Sequence, residues 1–356
     1  MFERSRCVKT PKTYGEKTIA LASRLDVINR ELRIEKDDYF IYVPLVRSLH
    51  ETELKAFKEK IPECEASTHV FPRRRKQIAT FAEILEDKLP QHLLSSVPRS
   101  IDFVGEIAII EISSELDSYK AVLGEAVMET HKQVRTVLAK AGAVVGTYRL
   151  RDFDVVAGEP NTETIHREFG CKFSVDVAKA YFSPRLSYEH NRIASLVRDG
   201  ETIVDLFAGV GPFSILTAKT HDNVKVYSVD ANPDAVKHLK KNVRLNRVEG
   251  KVFPIFGDAR DIVERQLSGV ADRVIMNLPE KAASFVDAAC ETIKPVGGIV
   301  HFYSFIEISE SLEAVTQSFM ENVELHGRNV DRILSSRLVR ATAPYKWQVV
   351  LDAKIL

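Results

Sequence analysis

Three acidic residues and a pair of glycines carry the chemistry that is easiest to read in this chain. In Asp205-Leu206-Phe207-Ala208-Gly209-Val210-Gly211-Pro212 an apolar run ends in a turn with glycines two apart, and a helical pattern follows. Glycine permits positive φ and close approach of a ligand to the backbone, and the helix start offers unpaired N–H groups. Asp230 lies 25 residues beyond Asp205, at the end of the next apolar run. A carboxylate there accepts hydrogen bonds from both hydroxyls of a ribose. Asp258 closes the third such run and suits an adenine amino group. Two features depart from a dinucleotide fingerprint: Ser214 stands where the third glycine belongs, and Asp205 precedes the turn, where a pyrophosphate would be repelled. The loop has no Lys or Arg, so NAD and ATP are disfavoured. Acidic strand ends favour a ligand with a cationic sulfonium and a free amino group, which is S-adenosylmethionine. The cofactor contacts on this reading include Asp205, Phe207, Gly209, Gly211, Asp230 and Asp258.

A second cluster follows the fourth strand, in Met276-Asn277-Leu278-Pro279-Glu280. The first cluster resembles the leading motif of class I methyltransferases, with Asp230 and Asp258 matching the second and third motifs. Class I enzymes that methylate nitrogen on bases carry Asn/Asp-Pro-Pro-aromatic at the position of Asn277. Here Leu278 replaces the first proline and the aromatic is absent, so stacking of a base on that residue is not expected. Asn277 can still hydrogen-bond near the transferred methyl, and Pro279 shapes the loop beside the cofactor. Tyr181-Phe182-Ser183-Pro184-Arg185-Leu186-Ser187-Tyr188-Glu189 precedes the first motif. A helix starting after Pro184 puts Arg185 and Glu189, four apart, on one face.

This segment, Tyr148-Arg149-Leu150-Arg151, Asn277-Leu278-Pro279 and the closing Ala343-Pro344-Tyr345-Lys346-Trp347 together resemble the archaeal/eukaryotic tRNA (guanine-37-N1)-methyltransferase family over nearly the whole chain. The resemblance implies methyl transfer from S-adenosylmethionine to N1 of the guanine next to the anticodon. It implies Glu189 as general base, Arg149 as the cation that stabilises charge on O6, and Arg185 as an organiser of the pocket. It further implies Tyr181 at the methionine end of the cofactor, and Asn277 and Pro279 against the base. A carboxylate desolvated between domains has the raised proton affinity that a base at N1 needs. Within the family, methylation of C7 of the tricyclic wyosine precursor at the same position is the alternative, followed by aminocarboxypropyl transfer from the same cofactor. A non-catalytic RNA-binding module is the alternative from another class, and the presence of Glu189 and Arg149 speaks against it.

The elements that must position these residues follow an alternating pattern. From about residue 183 onward, apolar runs and helical patterns alternate, and the chain closes with two strand-like segments at 333–341 and 347–351. That order predicts an α/β fold, a class I methyltransferase Rossmann-like doubly wound sheet, with an antiparallel last strand at or near an edge. It occupies 181–356. Ahead of it, 67–180 reads as an α+β RNA-side domain, with a long helix at 120–141 and strands at 164–169 and 172–177. Residues 1–66 read as a small N-terminal α/β domain, and the family resemblance implies that it touches a remote part of the folded tRNA.

The chain has 356 residues, with 50 Lys+Arg against 50 Asp+Glu. Neutrality excludes a histone-like protein but not an RNA enzyme, since placement of charge matters more than its sum. Residues 1–76 hold 17 Lys+Arg and 12 Asp+Glu. Part of that excess is Arg73-Arg74-Arg75-Lys76, expected to contact the RNA backbone. The four cysteines form no CxxC pair, so neither a disulfide framework nor a metal site is expected, and a reducing, cytoplasmic setting is. No apolar stretch approaches the roughly 18 residues that span a bilayer. A monomer bound to the anticodon region and tertiary core of tRNA is the expected working form.

Overall fold

The computed structural model describes residues 2–61, 63–73, 80–142, 146, 148 and 150–356, and the chain divides into units Met1–Ala79 and Thr80–Leu356. In the first unit, β1 (Phe2–Pro11) precedes α1 (Gly15–Arg24), β2 (Glu35–Lys36), β3 (Phe40–Pro44), α2 (Glu51–Lys60) and β4 (Glu65–Pro72). The sheet order is β2-β3-β1-β4 and every pair is antiparallel. Val8, Leu21, Val43, Phe57 and Ile61 close its core. The expected boundary at 66/67 falls inside β4, whose ladder with β1 runs from Phe2↔Pro72 to Lys9↔Glu65. A strand cannot be divided while its ladder is intact, so this unit extends past it.

The second unit starts at a capping box, in which Thr80 Oγ1 accepts from the Glu83 N–H and the Thr80 N–H donates to Glu83 Oε2. That box opens α3 (Phe81–Glu86). Next come β5 (Asp102–Val104), β6 (Ile107–Ile110), α4 (Lys120–Thr130), β7 (Thr136–Lys140) and β8 (Phe153–Gly158). The order is β5-β6-β7-β8, with only β6 and β7 parallel. The long helix expected at 120–141 therefore ends at Thr130. Thr136-Val137-Leu138-Ala139 is an apolar stretch buried at every residue, and it satisfies its backbone in the parallel ladder with β6 instead. Periodicity alone does not separate such a run from a buried helix turn.

β9 (Glu163–Glu168) and β10 (Cys171–Asp176) form a hairpin through Phe169 and Gly170, both at positive φ. After it the alternation predicted from sequence unfolds as α5 (Ser187–Leu196), β11 (Thr202–Asp205), α6 (Pro212–Thr220), β12 (Lys225–Asp230), α7 (Pro233–Asn246), β13 (Val252–Phe256), α8 (Ala259–Ile262), β14 (Arg273–Met276), α9 (Val286–Thr292), β15 (Gly298–Glu307), α10 (Leu312–Leu325), β16 (Val330–Ala343) and β17 (Lys346–Ile355). The described strands order as β13-β12-β11-β14-β15-β17-β16. The first five are parallel, and β17 lies antiparallel between β15 and β16. Successive strand residues go to opposite faces. Val204, Met276 and Leu351 pack with Val286 of α9 and Phe319 of α10, while Ile203, Ile275 and Val350 pack with Ile193, Phe213 and Leu239 of α5, α6 and α7.

The expected division at 180/181 separates parts of one unit, and α7 shows why they hold together. Asn242 and Asn246, four apart on one face, hydrogen-bond the backbone of β10 as a neighbouring strand would. Asn242 accepts from the Ser174 N–H and donates to its carbonyl, and Asn246 does the same at Lys172. Among the described residues no helix is long and apolar enough to cross a membrane, and no group of three His, Cys, Asp or Glu side chains could hold a metal ion.

Candidate active site

A cleft opens at the carboxyl ends of β11, β12, β13 and β14, where an α/β sheet of this kind binds its ligand. It encloses about 160 Å³ of space accessible to water. Tyr181, Phe207, Gly209, Asp230, Asp258, Asn277 and Pro279 all line it. The sequence expectations for these seven therefore converge on one place.

The turn after β11 explains the two glycines separately. Gly209 has φ 56°, and its N–H donates to Asp230 Oδ2 at 2.7 Å. A Cβ there would meet nothing nearer than the Tyr181 carbonyl at 3.7 Å, so the backbone stands open to a ligand. Gly211 caps α6 at φ 92° and does not line the cleft. A Cβ on it would run into Leu239 Cδ1, so this glycine serves helix packing rather than contact.

Asp230 accepts through both oxygens, from Gly209 and, at 2.8 Å, from the Asn232 N–H. Each oxygen keeps a further lone pair for a ribose hydroxyl. Burial pushes its carboxyl above the usual range, against these hydrogen bonds. Asp258 caps α8 through the Arg260 N–H at 2.9 Å and leaves the rest of its carboxylate on the cleft wall. Asp205, expected at the cofactor, is wholly buried and does not reach the cleft. Its Oδ2 accepts from Ser214 Oγ at 2.9 Å, while Oδ1 is buried without a partner among the described residues. The two departures from a dinucleotide fingerprint are thus partners of one another. Burial raises the Asp205 carboxyl to about 7, opposed by the Ser214 hydrogen bond. The wall carries two carboxylates, an open glycine backbone and the aromatic face of Phe207, braced edge-on by Phe285. This donor set fits an adenosyl group with a positive centre.

Sequence reasoning missed several residues of this cleft, among them Phe285, Lys281, Phe305, Arg340 and Gln348. Phe285 carries the Arg260 guanidinium 4.3 Å from its ring centre, and Lys281 lies on the loop after Pro279. Arg340 and Gln348 come from β16 and β17. Arg340 donates to Gln348 Oε1, Ser183 Oγ and the Tyr181 hydroxyl, and Gln348 Nε2 donates to Asn277 Oδ1. No motif marks these two, although Gln348 is a buried polar residue beside the apolar run Val349-Val350-Leu351.

Glu189 and Arg185 are not brought together. Pro184–Leu186 forms a 3₁₀ turn, and Arg185 within it reaches back to Asp102 Oδ1 at 2.5 Å and to Ser100 Oγ. Glu189, on α5, is 1% exposed and lies outside both the cleft and the groove beside it. Its carboxylate accepts from Arg192 at 3.0 Å, from the Tyr303 hydroxyl at 2.9 Å and from Arg337. Behind it the charges alternate: Arg192 contacts Asp352, and Asp352 contacts His301 at 2.6 Å. A second groove holds Arg185 with Lys140, Arg151 and Lys346, and it shares Tyr181, Phe305 and Arg340 with the first cleft. It is predominantly cationic, with Asp102 and Glu280 as its acids. Arg73 pairs with Glu3 in the N-terminal unit. Arg74, Arg75, Lys76 and Arg149 lie outside the described residues.

Family models match the chain along its length. That of the tRNA methyltransferase 5 N-terminal domain matches residues 7–53, that of the TYW2 N-terminal domain 81–162, and that of the TRM5/TYW2 methyltransferase domain 164–330. The tRNA (guanine(37)-N(1))-methyltransferase Trm5b of Pyrococcus abyssi is 36% identical over 348 residues, which is 98% of each chain. The tRNA 4-demethylwyosine(37)-methyltransferase Taw21 of Saccharolobus solfataricus is 36% identical over 258 residues, 72% of this chain and 94% of its own. The solved complex of aTrm5 and tRNALeu has a TM-score of 0.76 at 32% identity, covering 98% of this chain and 99% of that one. With its cleft, its sheet order and a Trm5b relative matched over 98% of its length, the chain belongs to the TRM5/TYW2 methyltransferase family.

Proposed function

We propose that the protein methylates N1 of guanine-37 in tRNA, using S-adenosylmethionine. The observation that carries this reading is the junction of two clefts at Tyr181, Phe305 and Arg340, one with the carboxylates of Asp230 and Asp258 on its wall and suited to an adenosyl cation, the other predominantly cationic and suited to a polynucleotide. Relatedness over 98% of both chains to a guanine-37 enzyme supports the target.

Asp230 and Asp258 hold the ribose and adenine of the cofactor, Gly209 gives it backbone access, and Tyr181 borders its methionine end. The bound cofactor supplies an electrophilic methyl on a sulfonium. Asn277 and Pro279 hold the base in line with it, which accounts for most of what methyl transfer requires of a protein. The N1–H of guanine is weakly acidic, and Glu189 takes this proton. Arg149 then stabilises the negative charge that gathers on O6. For Glu189 to reach the base the Arg337 contact has to open. Of the two guanidinium groups on Glu189, that of Arg337 is the more exposed, at 30% against 15% for Arg192. Lys140, Arg151, Arg185 and Lys346 take the phosphates that flank the splayed base.

A second reading, methylation of C7 of the tricyclic wyosine precursor, draws on the TYW2-type match over 81–162 and on the Taw21 relative. That relative leaves more than a quarter of this chain unmatched, so the guanine reading is preferred. The two separate by mass spectrometry of tRNA carrying guanine-37, and of tRNA carrying the precursor, after incubation with isotopically labelled cofactor. Label on N1 of guanine-37 is expected. Label on the precursor alone overturns the assignment.

A further inference from the structure

We propose that Arg340 and Gln348 are positioning residues that fix the polarity of the Asn277 amide, so that Asn277 is a hydrogen-bond donor toward the base and reads the 6-carbonyl of the target purine. The inference rests on the guanine reading above and adds how the 6-position is recognised.

The argument starts from the one group in the chain of contacts whose polarity cannot change. An arginine side chain carries donors only. Arg340 Nε lies 3.0 Å from the Gln348 amide, so the atom facing it must be the carbonyl oxygen. That turns the Gln348 NH₂ toward Asn277, 3.1 Å away. An NH₂ donates and does not accept, so Asn277 must answer with Oδ1. The Asn277 NH₂ is what remains, it has no partner among the described residues, and Asn277 lines the cofactor cleft. The amide assignments therefore follow from the guanidinium and not from how the amides are drawn.

The hairpin is built to hold this arrangement. Arg340 and Gln348 are directly opposed across β16 and β17, and a register shift between Leu338 and Arg340 breaks the regular pleat there. Such a bulge re-aims the side chain that follows it. The two remaining arms of Arg340 are fixed by Ser183 Oγ at 2.9 Å and the Tyr181 hydroxyl at 3.1 Å. Gln348 is 1% exposed, so water cannot substitute for either partner. A guanine presents an acceptor, O6, beside N1, whereas an adenine presents an amino donor at that position. A fixed donor therefore pairs with one purine and opposes the other, and it also favours the charge that O6 gains when N1 loses its proton.

The test is a double-mutant cycle on tRNA carrying guanine-37. Gln348→Glu replaces the amide by a side chain of acceptors, which keeps Arg340 but turns the Asn277 NH₂ away from the cleft. The expected result is a fall in kcat of about tenfold or more, with cofactor Kd by calorimetry within about twofold of wild type. In an Asn277→Ala background, Gln348→Glu should cost nothing further, because the donor it controls is already gone. Arg340→Met, which frees Gln348 to turn either way, gives a smaller loss of the same kind and serves if Gln348→Glu does not fold. Wild-type kcat in Gln348→Glu, or losses that multiply in the double variant, overturns the proposal. A wild-type product other than N1-methylguanine overturns the functional reading instead, so the two failures are distinguishable.

Discussion

Asp205 shows how far a side chain's environment can depart from what its position in a motif suggests. As the acid before a glycine turn it reads as a ligand, but its carboxylate ends beneath the sheet rim with Ser214. Burial raises it to about 7, while in an unfolded chain it ionises near 4. A carboxyl raised by folding stabilises the fold fully below its unfolded value, and that contribution is lost as pH climbs through the folded one. Asp352 has the opposite sign. Burial pushes it up, but His301 and Arg192 outweigh that and hold it well below the carboxylate range, so its contribution is lost only on acidification. The two windows therefore do not overlap. Between pH 5 and 8 the cofactor-free protein should lose thermal stability on account of Asp205, and Asp205→Asn should flatten the curve. At pH 8 the variant should be more stable by on the order of 2 kcal/mol. Denaturation midpoints across that range decide it, and parallel curves would show that this carboxyl does not titrate there. Position after a strand end singled out Asp230, Asp258, Phe207, Gly209, Asn277 and Pro279, the family resemblance supplied Tyr181, and all seven line the cleft. Neither signal marked Arg340 and Gln348. They reach the cleft from the C-terminal hairpin, more than 60 residues beyond Asn277.

At the scale of elements, alternation of strands and helices made β11 to β15 legible, because each apolar run has strand length and is followed by a helix-period stretch. Two elements were hidden for physical reasons. β7 is apolar on both faces and joins a helix after a short connection, so its period is invisible. β1 carries Glu3, Arg4 and Arg6 in its first half and looks like a solvated terminus until β3 and β4 pair with it. The strand–turn–helix at 202–220 gives the sharpest element-level prediction, since its two glycines do different work. Gly211→Ala forces a side chain into left-handed backbone and against Leu239. It should destabilise the fold by about 2 kcal/mol or more, as measured by urea denaturation. Gly209→Ala also meets positive φ but finds open space, so its stability cost should be smaller, about 1 kcal/mol. Its larger effect should be on cofactor affinity by calorimetry, because the added methyl occupies the ligand's approach to the backbone. If the two variants lost stability and affinity in the same proportion, the separate roles assigned to the glycines would be wrong.

At the scale of the whole molecule, the zero net charge divides unevenly. Residues 1–76 carry 17 basic against 12 acidic side chains, so the remainder is acidic by the same margin. Among the described residues, all that line the two clefts belong to the second unit, from Asp102 onward. Within the first unit Arg73 is tied to Glu3, a pair that removes one charge of each sign and leaves the positive excess for a polyanion. Under the proposed function these facts separate cofactor binding from RNA affinity along the chain. A protein starting at Thr80 keeps its capping box, the sheets of its unit and the cleft. It should therefore bind S-adenosylmethionine with the affinity of the full chain, to within about twofold. Its affinity for tRNA should fall, and the slope of log K against log salt should become shallower by about one for each phosphate that is no longer neutralised. Fluorescence anisotropy of labelled tRNA over a salt series reads both quantities. An unchanged slope would mean that the basic excess of the first unit is a solvated surface. Failure to bind the cofactor would mean that the second unit does not stand alone, and then the division of charge would have to be explained by stability rather than by recognition.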